Sequence, residues 1–223
     1  MSDLTDLNPN PVDETPIVRL IDDDASFRRA VQRLFRAAGH RVAEYNSVGA
    51  MLLQGIGSAP GCLVLDIHMP GPSGLDLQEM IATQPEPLPV IFATAEATVH
   101  ETLRAMKAGA SDFLFKPVDG EALLAAVTKA IAEDATRRRV RRRLNDLQNR
   151  YSRLSPRERQ VLDMVVNGAL NKQIGAELGA AERTVKAHRA HVMEKMEVTS
   201  LADLVRAAGQ LGATAGELGR VGA

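Results

Sequence analysis

The chain has 223 residues and a mass of 24.0 kDa, with 45% hydrophobic and 25% charged residues and a formal net charge of -1. This is a soluble, globular composition with room for one large or two small domains. Its one cysteine, Cys62, allows no intramolecular disulfide and no cysteine-built zinc or iron-sulfur site, so a reducing, cytoplasmic compartment is expected; with no apolar run of roughly 18 residues and no apolar stretch in the acidic start MSDLTDLNPNPVDETP, neither membrane spanning nor secretion is.

The first sixteen residues, with three prolines and four acids, read as a disordered leader. From Ile17 onward five short apolar runs read as strands: IVRLI (17–21), RVAEY (41–45), CLVLD (62–66), PVIFAT (89–94) and DFLFK (112–116). Helically spaced stretches begin near Ser26, Ser47, Ser73, Val99 and Asp119, and Gly39 and Gly109 stand where a helix C-cap would use them. Five strand-helix repeats predict an α/β domain, a doubly wound five-stranded parallel sheet covered on both faces. The near-neutral total also hides a polarity: residues 1–120 hold 9 Lys and Arg against 16 Asp and Glu, whereas residues 121–223 hold 18 against 12. An acidic half that gathers cations and a basic half drawn to a polyanion imply two domains with different partners.

In open parallel sheets chemistry collects at the carboxyl ends of the strands. There the chain places Asp22-Asp23-Asp24, Asp66, Thr94 and Lys116-Pro117. Three carboxylates from two adjacent strands repel one another unless a hard cation such as Mg²⁺ lies between them, and a lysine and a hydroxyl nearby suit the remaining oxygens of a phosphoryl group. A single aspartate at a strand end is more often a helix N-cap, a role that fits Asp24. Asp22, Asp23, Asp66, Thr94 and Lys116 converging on one crevice point to a carboxylate that accepts phosphate.

These residues carry a resemblance. LIDDD, LVLDIHMPGPSGLDL, VIFATAEA and AMKAGASDFLFKP closely resemble the receiver domain of two-component response regulators over residues 17–135, a flavodoxin-like fold. The resemblance implies Asp66 as phosphoacceptor, a sensor histidine kinase as donor, and Mg²⁺ held by Asp22, Asp23, Asp66 and the backbone carbonyl of His68. It implies a switch pair in Thr94 and Phe113, and a cis peptide between Lys116 and Pro117. The new charge would draw the Thr94 hydroxyl inward and let Phe113 rotate into the vacated space. Phe113 taken alone would be plain core; its place three residues before Lys116 favours the switch. His68 and Glu96, two residues beyond Asp66 and Thr94, bear on acyl-phosphate lifetime, which the sequence does not set. No ATP-binding glycine motif accompanies His68, so it is not read as a kinase's own histidine.

Beyond the fifth helix the chain continues without a break. Val140, Leu144, Leu147, Tyr151 and Leu154 form a short heptad-like seam on a helical linker (136–153), which either pairs with itself or packs on the next domain. Six arginines between Arg137 and Arg143 read as a solvated basic face able to add a salt-sensitive attraction to DNA. At Ser155-Pro156-Arg157-Glu158 a capping box with proline at the first helical position opens a helix with Leu162, Val165 and Val166 on one face, ended by Gly168. A helix near 171–178, a turn at Gly179-Ala180-Ala181 and a helix near 182–196 follow, the arithmetic of a helix-turn-helix. Val185, His188, Val192 and Met196 share the inward face, His188 as a hydrogen-bonded packing residue. Lys186, Ala187, Arg189 and Ala190 face the bases, and Asn171 and Lys172 suit phosphates.

Residues 154–211 resemble the LuxR-type DNA-binding domain of the NarL/FixJ response regulators through LSPRERQVL, Gly168, NKQIGAEL and TVKAH. The departures are the AlaAlaGluArg approach to Thr184, which is included among the DNA contacts, and the acid Glu197 after Met196. The resemblance implies a dimerisation helix over 201–211 using Leu201, Leu204 and Val205, with a disordered tail over 212–223. The expected function is a transcription factor that dimerises and binds double-stranded DNA once Asp66 is phosphorylated, with RNA polymerase as a further partner. A Mg²⁺-dependent phosphatase or phosphotransferase would carry a second Asp where this chain has His68, together with a substrate cap. The chain is therefore read as no enzyme beyond assisting its own phosphorylation and dephosphorylation. A phosphorylation-independent DNA binder is the third reading, and masking of the recognition helix and lack of dimerisation both stay open as modes of inhibition.

Overall fold

The computed structural model describes residues 15–218, the last six through their backbone alone. Contacts divide the chain between Arg138 and Arg139 into two compact units. The first is built on strands β1 (Ile17–Ile21), β2 (Arg41–Tyr45), β3 (Gly61–Leu65), β4 (Val90–Thr94) and β5 (Asp112–Phe115), all parallel in the order β2-β1-β3-β4-β5. β3 and β4 are buried along their whole length, which is why they read as unbroken apolar runs rather than alternating ones.

Helices α1 (Ala25–Ala37), α2 (Val48–Gln54), α3 (Gly74–Ala82), α4 (Val99–Lys107) and α5 (Gly120–Ser152) follow the five strands. One sheet face packs on Val31 and Phe35 of α1 and Leu123, Val127 and Ala130 of α5; the other packs on Met51, Leu77, Ile81 and Ala105 of α2, α3 and α4. Asp24, Ser47, Ser73 and Thr98 each accept backbone N–H groups at the start of their helix. Cys62 lies in this core, where burial pushes its thiol up to about 12, so it is inert at neutral pH. The order reverses between β1 and β3, and the crevice at that switch point opens beyond Ile21 and Leu65.

α5 is one helix of 33 residues that runs past the division between the units. The seam on its second half splits in its environment. Leu147 and Leu154 are buried and Tyr151 partly so against the second unit's core, whereas Val140 is exposed. That unit continues with α6 (Pro156–Val166), α7 (Asn171–Leu178), α8 (Glu182–Lys195) and α9 (Leu201–Leu218) around Val161, Leu162, Ile174, Val185, Val192 and Met196.

Two expectations need correction. Residues 212–218 continue α9 as helix rather than forming a tail, because no proline ends the segment and internal glycines cost only about 1 kcal/mol each; residues 219–223 and the leader residues 1–14 lie outside the described residues. Leu204 is 1% exposed within the unit's own core and offers no surface for dimerisation, while Leu201 and Val205 are exposed. Among the described residues no helix is long and apolar enough to cross a membrane.

Candidate phosphoacceptor pocket and DNA-binding surface

β1 delivers Asp22 and β3 delivers Asp66 to the crevice, 1% and 7% exposed; Asp23 beside them is exposed. Carboxylate oxygens of all three lie within 4.8 Å of one another. Lys116, just beyond β5, donates to Asp22 Oδ2 at 2.7 Å and to Asp66 Oδ2 at 2.8 Å, its ammonium 4.3 Å above the Phe27 ring. The Lys116–Pro117 peptide is cis. Asp22 Oδ1 accepts the Asp24 N–H at 2.9 Å, Arg28 donates to the Asp22 carbonyl at 2.5 Å, and Asp66 Oδ1 accepts the His68 N–H at 3.3 Å.

Burial raises the Asp22 pKa, partly opposed by the Lys116 hydrogen bond. Burial works against the Lys116 charge, but its bonds to Asp22 and Asp66 outweigh that and hold its pKa above the usual lysine value. Three carboxylates against one ammonium leave the ionised pocket two negative charges in excess. An all-oxygen donor set with that excess fits a hard dication such as Mg²⁺. Asp24 is the N-cap of α1, accepting from the Ser26 and Phe27 N–H groups, which hold its pKa low.

Thr94 ends β4, buried, with its hydroxyl donating to the Glu96 carbonyl at 2.9 Å. Phe113 on β5 is half-buried between Phe92 and Phe115, with ring centroids 5.8 and 5.3 Å away. The His68 imidazole is exposed, 3.6 Å from Glu101 on α4. Sequence reasoning missed three supports of the pocket: Phe27, Arg28 and Gly74. A Cβ on Gly74 would lie 2.1 Å from the Asp66 carbonyl oxygen, so only glycine lets α3 start against the end of β3. Gly74→Ala is therefore expected to displace Asp66, costing about 2 kcal/mol in denaturant melts and most of any phosphoryl uptake measured by intact mass.

In the second unit Ser155 accepts the Glu158 N–H and Glu158 returns the bond to the Ser155 N–H, with Pro156 at the first helical position. Gly179 ends α7 in the left-handed region (φ 63°), and a Cβ on Gly175 would sit 2.7 Å from the Ala180 carbonyl oxygen; both positions make the tight turn into α8. Ala181 caps α8 without a side-chain bond, and the Thr184 N–H of its first turn turns back to the Ala181 carbonyl at 2.9 Å, so the positive end of the helix lacks the usual capping side chain. Lys172, Thr184, Lys186, Ala187 and Ala190 are exposed. Lys186 lies 3.9 Å from Glu182. Asn171 and Arg189 are instead tied together, Arg189 Nη1 donating to Asn171 Oδ1 at 2.9 Å, so each braces α7 against α8. Arg183, exposed one turn before Lys186 and Ala187, joins the same stripe, although the sequence reading counts it only as part of the approach to Thr184. His188 is half-buried, and its Nδ1 is buried with no hydrogen-bond partner, unlike the satisfied packing residue expected.

A parallel sheet with an acidic crevice, followed by a helix-turn-helix unit, defines a signal-responsive DNA-binding protein. The family model for the response regulator receiver domain matches residues 18–128, and that for bacterial regulatory proteins of the luxR family matches residues 152–208. Nodulation protein W of Bradyrhizobium diazoefficiens is 45% identical over 199 residues, covering 89% of this chain and 88% of that protein. The transcriptional regulatory protein FixJ of Azorhizobium caulinodans is 40% identical over 191 residues, covering 86% and 90%. The solved structure of the response regulator StyR is similar with a TM-score of 0.83 and 42% identity, covering 88% of this chain and 99% of that one. The chain belongs to the two-component response regulators of the NarL/FixJ class; it is a phosphorylation-dependent transcription regulator with a LuxR-type DNA-binding domain, not an enzyme.

Proposed function

We propose that Asp66 is the phosphoacceptor, taking its phosphoryl group from the phosphohistidine of a sensor histidine kinase in the cytoplasm. The observation that carries this reading is the Lys116 ammonium held between Asp66 and Asp22 at 2.8 and 2.7 Å, a cation already placed beside the attacking carboxylate. An Asp66 oxygen attacks phosphorus, the phosphorus–nitrogen bond of the donor breaks, and the imidazole nitrogen leaves with the bonding pair. Asp22, Asp23, Asp66 and the His68 carbonyl would hold Mg²⁺, which when bound offsets the charge of the phosphoryl oxygens. Lys116 then exchanges one carboxylate oxygen for a phosphoryl oxygen, and the phosphoryl group competes with the Glu96 carbonyl for the Thr94 hydroxyl. Phe113, half-buried beside Phe92, follows that hydroxyl and changes the surface around α4 and β5. The domain limits read from the sequence, a receiver to residue 135 and a DNA-binding domain from 154, belong to the same reading.

The helix α8 lies in the major groove with Arg183, Lys186, Ala187 and Ala190 toward base edges, while Lys172, Thr184 and the N-terminal end of α8, which has no capping side chain, meet phosphates. Asn171 and Arg189 position the two helices for that contact. Phosphorylation brings two copies together through Leu201 and Val205, so that two weak half-site contacts act jointly and recruit or exclude RNA polymerase. The reading is tested by selecting DNA fragments with protein treated with a small phosphodonor and Mg²⁺. A two-fold symmetric site bound more tightly after treatment, with the gain abolished by chelator during treatment, supports it; equal binding with and without treatment makes the chain a constitutive DNA binder. Lys172→Ala should weaken binding uniformly across DNA sequences and lower the slope of log K against log salt by about 1 per half-site, measured by salt titration.

A further inference from the structure

Outside the acidic crevice, one other cluster among the described residues brings metal-ligating groups together. Glu158 of α6 and His188 and His191 of α8 each offer a ligand atom, and these atoms all lie within 4.8 Å of one another. The two histidines are three residues apart on one helix and so project from adjacent turns of the same face. Glu158 comes from the first turn of α6, and its Oε1 is 3.8 Å from His191 Nδ1. The carboxylate's Oε2 is occupied by the Ser155 N–H at 2.8 Å and by Lys195 at 2.7 Å, while Oε1 has Lys195 at 3.0 Å.

The packing role of this cluster is complete without a ligand except at one atom. Glu158 has its cap and its cation, but His188 Nδ1 is buried with no hydrogen-bond partner. A buried orphan nitrogen in an otherwise satisfied cluster calls for an explanation, and a missing ion is one. We propose that Glu158, His188 and His191 form a second metal site, selective for a borderline divalent ion of the Zn²⁺ type.

Two imidazoles and one carboxylate are a three-ligand set for such an ion, which would keep water in the fourth position. Mg²⁺ prefers oxygen donors and does not compete for it. A carboxylate from one helix with imidazoles from its neighbour is an established way for packed helices to hold metal. Lys195 is the built-in competitor. Its side chain is partly exposed, and ion binding releases the ammonium from Oε1 toward solvent. The ion ties the start of α6 to α8, the helix that carries Arg183, Lys186, Ala187 and Ala190, so occupancy bears directly on the DNA-binding surface.

The test uses the full chain in excess Mg²⁺, which fills the receiver carboxylates, titrated with Zn²⁺ by calorimetry and followed through the imidazole ¹⁵N signals. One Zn²⁺ per chain is expected, with the His188 and His191 signals moving together while those of His40, His68 and His100 stay in place. The His191 side chain is 58% exposed, so His191→Ala leaves the fold intact, confirmed by an unchanged melt. This variant should bind at least about tenfold more weakly. Lys195→Gln removes the competing cation and should bind several-fold more tightly. Equal affinity in wild type and His191→Ala, movement of the His68 signal instead, or no binding at all would overturn the proposal.

Discussion

Asp66→Asn takes up no phosphoryl group from a small donor in the presence of Mg²⁺, and its affinity for the selected DNA site stays at the untreated wild-type level. An amide oxygen is a far weaker nucleophile than a carboxylate oxygen, so the change removes the chemistry while keeping the shape. The amide oxygen can still accept from Lys116, and the Asp22 contact to the same ammonium is untouched. Stability moves little because two terms oppose each other. Removing the Asp66 charge weakens its attraction to Lys116 but also relieves its repulsion of Asp22, one of the causes that raise the Asp22 pKa. The melt is therefore expected within about 1 kcal/mol of wild type, which separates lost chemistry from misfolding. The wild-type gain in DNA affinity on phosphorylation is expected in the range of roughly 5- to 150-fold, the usual size of coupling between two sites. Intact mass, a thermal melt and a DNA titration on the two proteins check all three statements. Phosphoryl uptake by Asp66→Asn at the wild-type rate would move the acceptor elsewhere.

The pocket's composition was legible in the sequence, but its connections were not. Parallel strands buried on both faces leave continuous apolar runs, and the polar residue that ends each run stands out against them, which is how Asp22, Asp66, Thr94 and Lys116 were found. The same local logic marked Ser155, Pro156, Glu158 and Gly179, whose cap and turn chemistry acts within a few residues. Lys116, by contrast, bonds carboxylates 94 and 50 positions away, and no periodicity encodes that pairing. Gly74 was passed over because its need is for close approach to the Asp66 carbonyl, a property of the folded backbone rather than of any motif. Leu204 shows the complementary error: an apolar residue on an amphipathic helix fits core and interface equally well until burial decides between them. The helix α9 runs on through residues 212–218, which the sequence reads as a tail, because glycines inside a helix are merely tolerated and no other local signal marks the end.

Glu158 gives the second unit a steep acid dependence. It is 4% exposed, bonded to Lys195 and to the Ser155 N–H, and these bonds, the Lys195 one first, lower its pKa to about 2. In the unfolded chain the same group titrates near 4.5. Folding thus prefers the ionised form, so this contribution is fully present above pH 4.5, decays as pH falls through the interval between the two values, and is gone below about 2. Its size is on the order of 1 to 3 kcal/mol at neutral pH, because the Lys195 partner is partly exposed and solvent screens the pair. Glu158→Gln should lose about that much at pH 7 and then show a much flatter decline toward acid, since the amide does not titrate and leaves Lys195 to find water. Amide hydrogen exchange of α6 and α8 in the full chain reads this locally, while the helices of the first unit serve as the internal reference. Wild type losing protection in α6 and α8 between about pH 4.5 and 2, with the variant already low and nearly level, is the expected pattern. Parallel acid profiles in the two proteins would assign the loss to other carboxylates and reduce Glu158 to a cap.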